Sequence, residues 1–231
     1  HPDPQRFVED ISASPILKWG LAQRKKKRPL EIYKRLHTLL DQRTEPRLCE
    51  LEFPKDQHLF DLFYQTNQPF ILKGWADRWH AFLQPWSADR FLEEFPSVPI
   101  EVTMGRESRE DFDLKAHLLK EKTTLGELAT RVLQCESSTN DFYLIARNHA
   151  LDQPELMSLF EEIDERPILN PDQRRRHAAL WFGPKGTYTP LHHDTCNIMF
   201  VQMWGEKRID LLPPHRFDLF EQSMNMYASL D

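Results

Sequence analysis

Apolar residues recur at helical spacing in four parts of the chain. The four sets are Ile32, Leu36, Leu39 and Leu40; Phe91, Leu92 and Phe95; Leu125, Leu128, Val132 and Leu133; and Leu156, Leu159, Phe160 and Ile163. Spacings of three and four residues place side chains on one face of an α-helix. Ser87 is a suitable N-cap for the second helix, and Thr124 with Glu127 forms a capping-box sequence before the third. The pattern therefore predicts four amphipathic helices.

Short apolar runs between proline and glycine predict strands. Two of them, at 70–72 and 100–102, lie among the predicted helices. From 177 to 212 the helical period disappears, and short apolar runs alternate with tight turns. Residues 198–203 and 207–212 predict a hairpin turning at Trp204-Gly205-Glu206.

The predicted elements divide the chain into two regions. Residues 1–50 form a charged, amphipathic helical segment, and residues 51–231 form one domain. That domain has an entry region of mixed helices and strands to about residue 170, and strands from about 177. The predicted fold class is α+β.

Composition excludes several classes of protein. A chain of 231 residues with 40% apolar residues can bury a large core, which excludes global disorder. The net charge of −6 argues against nucleic acid as a partner. The longest purely apolar run, 178–182, is far below the ~20 residues that cross a bilayer, so we expect no membrane partner. The sequence does not indicate an oligomeric state.

The cysteines and one basic run give information about the cellular compartment of the protein. Cys49, Cys135 and Cys196 are widely spaced without a C-x-x-C pair, which favours a reducing compartment and argues against a cysteine-based zinc site. We therefore predict a cytoplasmic protein. The basic run 24–28 is interpreted as a solvated segment, and the alternatives are a nuclear address or a local RNA contact.

The segment 189–197 contains the candidate metal ligands. In an extended chain His192 and Asp194 project to the same face. An imidazole beside a carboxylate supplies two ligands of the facial triad that holds non-haem Fe(II). An H-x-D tripeptide also occurs about once by chance in a chain of this composition, so the pair alone is weak evidence.

Lys207 strengthens this interpretation. It shares strand parity with Ile209 and Leu211, and a lysine on an apolar strand face is costly unless it meets an anion. The alternative is a lysine at the strand end that extends outward to solvent. A hairpin that returns an inward ammonium beside an inward His/Asp pair suits a dicarboxylate such as 2-oxoglutarate.

A longer motif runs from 181 to 214. It reads Trp181-Phe182-Gly183-Pro184-x-Gly186-x-x-Thr189-x-Leu191-His192-x-Asp194, followed by Asn197, Gln202, Gly205, Lys207-Arg208 and Leu212-Pro213-Pro214. This motif resembles the JmjC, or cupin-like, Fe(II)/2-oxoglutarate oxygenases, and among them the small protein hydroxylases. In that family the lysine follows the first iron-binding histidine by fifteen residues, as Lys207 follows His192 here.

The resemblance implies the roles of six residues and three small molecules. His192 and Asp194 would bind Fe(II), Lys207 would pair with the distal carboxylate of 2-oxoglutarate, and O2 would be the oxidant. The further candidates for the cosubstrate pocket are Thr189, Tyr143 and Asn197. Thr189 reaches the cosubstrate pocket only if the backbone bends. The alternatives for the other two are a buried tyrosine with a backbone partner and a turn-capping amide.

The resemblance also implies the fold. It predicts a double-stranded β-helix, or jelly roll, in which a histidine on a later strand is the third iron ligand. The only histidine after His193 is His215, in a predicted loop. We therefore expect the third ligand and the C-terminal half of the barrel to be missing from this chain.

The predicted function is an Fe(II)/2-oxoglutarate-dependent dioxygenase that hydroxylates a side chain of a protein or peptide partner. A JmjC lysine demethylase is one alternative. The others are a noncatalytic cupin-like scaffold with an incomplete metal site, and a metal-dependent cupin enzyme that uses no 2-oxoglutarate.

Overall fold

The computed structural model describes most of residues 48 to 212. The ranges are 48–52, 55, 57–65, 68–146, 148–164, 178–192, 194 and 197–212, with positions 32, 35 and 39 and the backbone of 221–222 and 228–229. The chain divides into two compact units, one of residues 1–48, 210–221 and 231, and one of 49–209 and 222–230. The second unit contains every residue of the candidate site that is described below.

Seven strands are present in the described residues. A parallel pair consists of β1 (Cys49–Glu52) and β2 (Phe70–Lys73). The main sheet is antiparallel in the order β4-β3-β5, formed by β3 (Pro99–Met104), β4 (Lys120–Thr124) and β5 (Phe142–Tyr143). β6 (Glu221–Gln222) pairs with β7 (Ala228–Ser229). The predicted strands at 70–72 and 100–102 are therefore confirmed as β2 and β3.

Helices precede and follow the central strand. The α-helices are α1 (Gln57–Gln65), α2 (His80–Leu83), α3 (Ala88–Glu94) and α4 (Leu125–Leu133). 3₁₀ helices of three residues span Ala76–Arg78, Arg106–Ser108, Ala116–Leu118 and Ala150–Asp152, and a longer 3₁₀ helix of nine residues spans Pro154–Glu162. In the described part of the chain no helix is long and apolar enough to span a membrane.

The predicted helix starts are confirmed at two positions. Ser87 Oγ accepts a hydrogen bond from Arg90 N at 3.2 Å and begins α3. Thr124 and Glu127 form the reciprocal capping box that begins α4. The repeat that starts at Leu156 is helical, but of the 3₁₀ type. Of the first predicted helix, the structure describes helical backbone at 32, 35 and 39, and its other positions lie outside the described residues.

The core lies between the main sheet and the helices beside it. Its fully buried members include Val102 of β3, Phe91 of α3, Leu125 and Leu128 of α4, and Leu156 and Leu159 of the long 3₁₀ helix. α4 closely approaches the segment that follows α3, since a Cβ at Gly126 would lie 2.7 Å from the Pro96 backbone. The apolar stripes of the last three predicted helices thus meet in one core, although Leu92 and Leu133 are exposed.

The predicted hairpin at 198–203 and 207–212 is wrong. Residues 197–212 form a turn at Gly205, where φ is +72°, but have no strand ladder. Ile198, Ile209 and Leu211 are exposed. Parity along a strand predicts which side chains share a face, but a strand also needs a hydrogen-bonding neighbour, which this segment lacks among the described residues. The described residues form no closed barrel, so the jelly roll stays a prediction.

A buried ionic cluster joins α3 to the 3₁₀ helix Pro154–Glu162. Arg90 donates to both carboxylate oxygens of Glu162 at 2.8 and 2.5 Å, and Trp86 Nε1 donates to the same carboxylate at 3.0 Å. Glu94, which is more exposed, accepts from the other edge of the guanidinium at 3.0 and 3.1 Å. The hydrogen bond from Arg90 lowers the pKa of the Glu162 carboxyl and raises that of the guanidinium.

We expect Glu162→Ala to lower the free energy of unfolding by about 3 kcal/mol, because it leaves a buried guanidinium without its main partner. The control Glu94→Ala removes an exposed partner and should cost less than about 1 kcal/mol. Urea unfolding at neutral pH measures both, and equal losses would contradict the assignment of Glu162 as the main partner.

The pH dependence of that loss has a defined sign. The ordinary pKa of Glu162 is 4.5 and its folded value is lower, so its contribution is complete above pH 4.5. The contribution disappears as pH falls through the folded value. The stability difference between the parent protein and Glu162→Ala should therefore shrink in acid.

Candidate functional site

A single antiparallel bridge attaches the 178–192 segment to the main sheet. Leu144 N donates to Phe182 O at 2.8 Å, and Phe182 N donates to Leu144 O at 3.1 Å. The bridge places Trp181 beside Tyr143, the last residue of β5, with ring centroids 5.5 Å apart. One end of the candidate site is therefore built on the edge of the sheet.

Lys207 completes that end of the site. Its Nζ donates a hydrogen bond to the Tyr143 hydroxyl and lies 4.8 Å from the centroid of the Tyr143 ring and 5.7 Å from that of Trp181. Lys207 is half-buried, whereas Ile209 and Leu211 are exposed. The structure thus brings together two predicted site residues that are 64 positions apart in the sequence.

His192 and Asp194 lie together, as their spacing predicts. His192 Nε2 is 3.6 Å from Asp194 Oδ2, and His192 Nδ1 is 2.8 Å from the Pro190 carbonyl oxygen. A carbonyl oxygen only accepts, so the contact requires a proton on Nδ1. In the neutral ring the Nε2 lone pair is then directed toward the Asp194 side, which is the usual arrangement of a metal-binding histidine.

These two side chains fit two positions of an Fe(II) site. An imidazole nitrogen and a carboxylate oxygen are donors that Fe(II) accepts, and the two atoms lie 3.6 Å apart here. No group of three histidine, cysteine, aspartate or glutamate side chains suited to a metal occurs in the described part of the chain. His215, considered above as a third ligand, lies outside the described residues.

The remaining predicted pocket residues are not joined to Lys207. Thr189 is half-buried and Asn197 is exposed, and neither side chain hydrogen-bonds Lys207 in the structure. Their roles stay predictions. Tyr143 is buried, and its carbonyl oxygen accepts from the Thr103 hydroxyl at 2.7 Å, so the residue has a partner within the sheet as well as its contact with Lys207.

A close approach restricts the position of the Tyr143 ring. A Cβ at Gly183 would lie 2.7 Å from Tyr143 Cδ2 and 3.0 Å from Thr187 Cγ2. Such separations are shorter than van der Waals contact allows, so the ring can occupy its place only because residue 183 has no side chain.

Sequence reasoning missed a buried polar cluster around Arg106. Arg106 is completely buried, and its Nη1 is 3.5 Å from Asp113 Oδ1. Burial lowers the pKa of Arg106 and raises that of Asp113, where the charge of Arg106 opposes the rise. Asp113 Oδ2 has no hydrogen-bond partner among the described residues. No periodicity or motif marks these positions, because their burial depends on contacts distant in sequence.

A family model for the cupin-like domain matches residues 56–228, about three quarters of the chain. The chain belongs to the cupin-like family. The matched range includes every candidate site residue named above, and the match confirms the resemblance found in the sequence.

Two relatives of this cupin-like chain are both named lysine-specific demethylase 8. The protein from Danio rerio is 31% identical over 156 residues, which cover 66% of this chain and 36% of the relative. The protein from Xenopus tropicalis is 25% identical over 176 residues, which cover 72% of this chain and 36% of the relative. The chain thus spans about a third of the length of these curated relatives.

Proposed function

We propose that this cupin-like domain belongs to an Fe(II)- and 2-oxoglutarate-dependent dioxygenase that hydroxylates a side chain of a protein. The observation that carries the proposal is the hydrogen bond between Tyr143 of β5 and Lys207, which follows the His192/Asp194 pair in the chain. Membership of the cupin-like family and the similarity to two named demethylases support the same class of enzyme.

The Lys207 end of the site suits a carboxylate. The ammonium group has three N–H donors, and the Tyr143 oxygen accepts one of them. Two ammonium hydrogens and the Tyr143 hydroxyl hydrogen are then directed elsewhere. Charge-assisted hydrogen bonds of this kind are among the stronger ones that a protein offers an anion. The distal carboxylate of 2-oxoglutarate is the group that we assign to this position.

The His192 end suits the metal. His192 Nε2 and Asp194 Oδ2 would be two of its ligands, with the Pro190 carbonyl orienting the imidazole. Iron, when bound there, would supply the activation of O2 that is coupled to decarboxylation of 2-oxoglutarate to succinate. In that overall reaction one oxygen atom enters succinate and the other enters the substrate C–H bond. The protein holds the cosubstrate at its distal end through Lys207.

A lysine demethylase is a second candidate, favoured by the name of the two relatives. Hydroxylation of an N-methyl group followed by loss of formaldehyde would use the same residues. A noncatalytic scaffold is a third candidate, favoured by the lack of a third metal donor among the described residues.

We expect Lys207→Ala to weaken 2-oxoglutarate binding at least about tenfold, or about 1.4 kcal/mol, because a charge-assisted pair is lost. Isothermal titration with Mn(II) present measures the dissociation constant. The control is Lys185→Ala, which removes an exposed lysine that is adjacent to Gly186 in a turn. Equal binding by the parent and Lys207→Ala would exclude the cosubstrate assignment.

The metal assignment has its own test. Asp194→Ala should weaken Mn(II) binding at least about tenfold, since even supporting residues of metal sites contribute that much. Electron paramagnetic resonance of free Mn(II) measures the affinity. Glu206→Ala, which removes an exposed carboxylate nearby in sequence, should leave the affinity unchanged. If both variants bind Mn(II) as the parent does, Asp194 is not a ligand.

The reaction product distinguishes the candidate functions. With Fe(II), 2-oxoglutarate and a protein substrate, hydroxylation adds one oxygen atom to the substrate and releases succinate. Demethylation instead removes a methyl group and releases formaldehyde. We expect the added oxygen, measured by mass spectrometry of substrate peptides. Failure of the protein to bind 2-oxoglutarate or to release succinate would favour the scaffold.

A further inference from the structure

Arg106 is the largest fully buried side chain in the described structure. It begins the 3₁₀ turn Arg106–Ser108, directly after Gly105, whose φ is +68°. A buried guanidinium destabilises a fold unless its N–H groups find acceptors and its charge finds a partner. The acceptors of Arg106 therefore indicate what the residue stabilises.

Most of these acceptors are neutral groups on two other segments. Nε donates to the Asn140 carbonyl oxygen at 3.1 Å and to Asn140 Oδ1 at 3.3 Å, and Nη2 donates to the Tyr188 carbonyl oxygen at 2.8 Å. Nη1 contacts Thr103 Oγ1 at 3.4 Å and Asp113 Oδ1 at 3.5 Å. The charge partner is thus the more distant contact, and the short hydrogen bonds connect separate parts of the chain.

Both backbone polar groups of Tyr188 are held by this arrangement. Its carbonyl oxygen accepts from Arg106, and its N–H donates to Asn140 Oδ1 at 3.1 Å. Tyr188 is adjacent to Thr189 and lies four residues before His192. Arg106 and Asn140 therefore fix the backbone from which the metal-binding residues follow.

The same guanidinium adjoins the other end of the site. Arg106 Cζ lies 5.5 Å from the centroid of the Tyr143 ring, and Asn140 precedes Tyr143 by three residues. Thr103, which contacts Arg106, donates to the Tyr143 carbonyl oxygen. The segment that carries Tyr143 and the segment that carries His192 are thus fastened to one side chain.

Arg90 provides a contrast within the same protein. It is also buried, but its nearest acceptors are the carboxylates of Glu162 and Glu94 and the Gln84 carbonyl oxygen. None of these groups belongs to the candidate site. Arg90 joins one helix to another, whereas Arg106 joins the two segments that hold the proposed cosubstrate and metal.

We propose that Arg106 is a positioning residue for the proposed oxygenase site: through Asn140 and Tyr188 it holds the segment of His192 in register with Tyr143 and its partner Lys207. This inference rests on the proposed function. Arg106 touches neither cosubstrate nor metal, and acts by fixing the separation between the groups that do.

The test compares two conservative substitutions of buried arginines. Arg106→Lys keeps the charge but loses the planar fork that reaches Asn140 and Tyr188 together, and Arg90→Lys is the matched control. Both should lower the melting temperature. We expect only Arg106→Lys to weaken 2-oxoglutarate binding, by about fivefold or more, with Arg90→Lys within about twofold of the parent. Calorimetric titration with Mn(II), at a temperature where circular dichroism shows all proteins folded, measures binding.

A double-mutant cycle separates positioning from general damage. If Arg106 acts through the Tyr143–Lys207 pair, adding Arg106→Lys to the Lys207→Ala variant should change its affinity for 2-oxoglutarate by less than about twofold. If the losses of 2-oxoglutarate affinity in the two single variants multiply in the double variant, the inference is overturned. Parent-like binding by Arg106→Lys would overturn it as well. If Arg106→Lys does not fold, Asn140→Ala tests the same connection and should weaken binding similarly. A parent protein that does not bind 2-oxoglutarate would instead overturn the proposed function.

Discussion

The bridge between Leu144 and Phe182 is the interaction on which the candidate site depends. Its two hydrogen bonds are the backbone pairing between the main sheet and the segment that follows residue 178. Because neighbouring residues of a paired strand are carried with it, the bridge places Trp181 against Tyr143. The ammonium of Lys207 then meets a hydroxyl whose position is already set by the sheet. A short stretch of backbone pairing thus orients a site whose residues lie largely outside helices and strands.

Local chemistry accounts for what the sequence predicts well. Helix starts at Ser87 and Thr124 follow from side chains that accept from backbone N–H groups three residues onward. His192 and Asp194 lie close together, which agrees with the rule that alternate residues of an extended segment share a face. The pairing of Lys207 with Tyr143 came from family resemblance, since no local rule connects residues so far apart.

The features that the sequence did not predict all depend on distant partners. Arginine is a residue type that is usually exposed, and the burial of Arg106 becomes favourable through acceptors on other segments, chiefly Asn140 and Tyr188. The hairpin predicted at 198–212 is absent for a related reason: its apolar pattern is typical of strands, but no strand of the described structure pairs with it. Periodicity specifies a face, whereas pairing and burial are properties of the assembled chain.

Gly183 limits how this site can be altered by evolution or by design. Because a Cβ there would meet the Tyr143 ring at 2.7 Å, any other residue displaces the ring and the hydroxyl that Lys207 contacts. The lack of a side chain at position 183 is therefore a condition for a polar interaction in which residue 183 takes no part. A library that varies only the charged and hydroxyl-bearing groups would leave this steric determinant of the site unsampled.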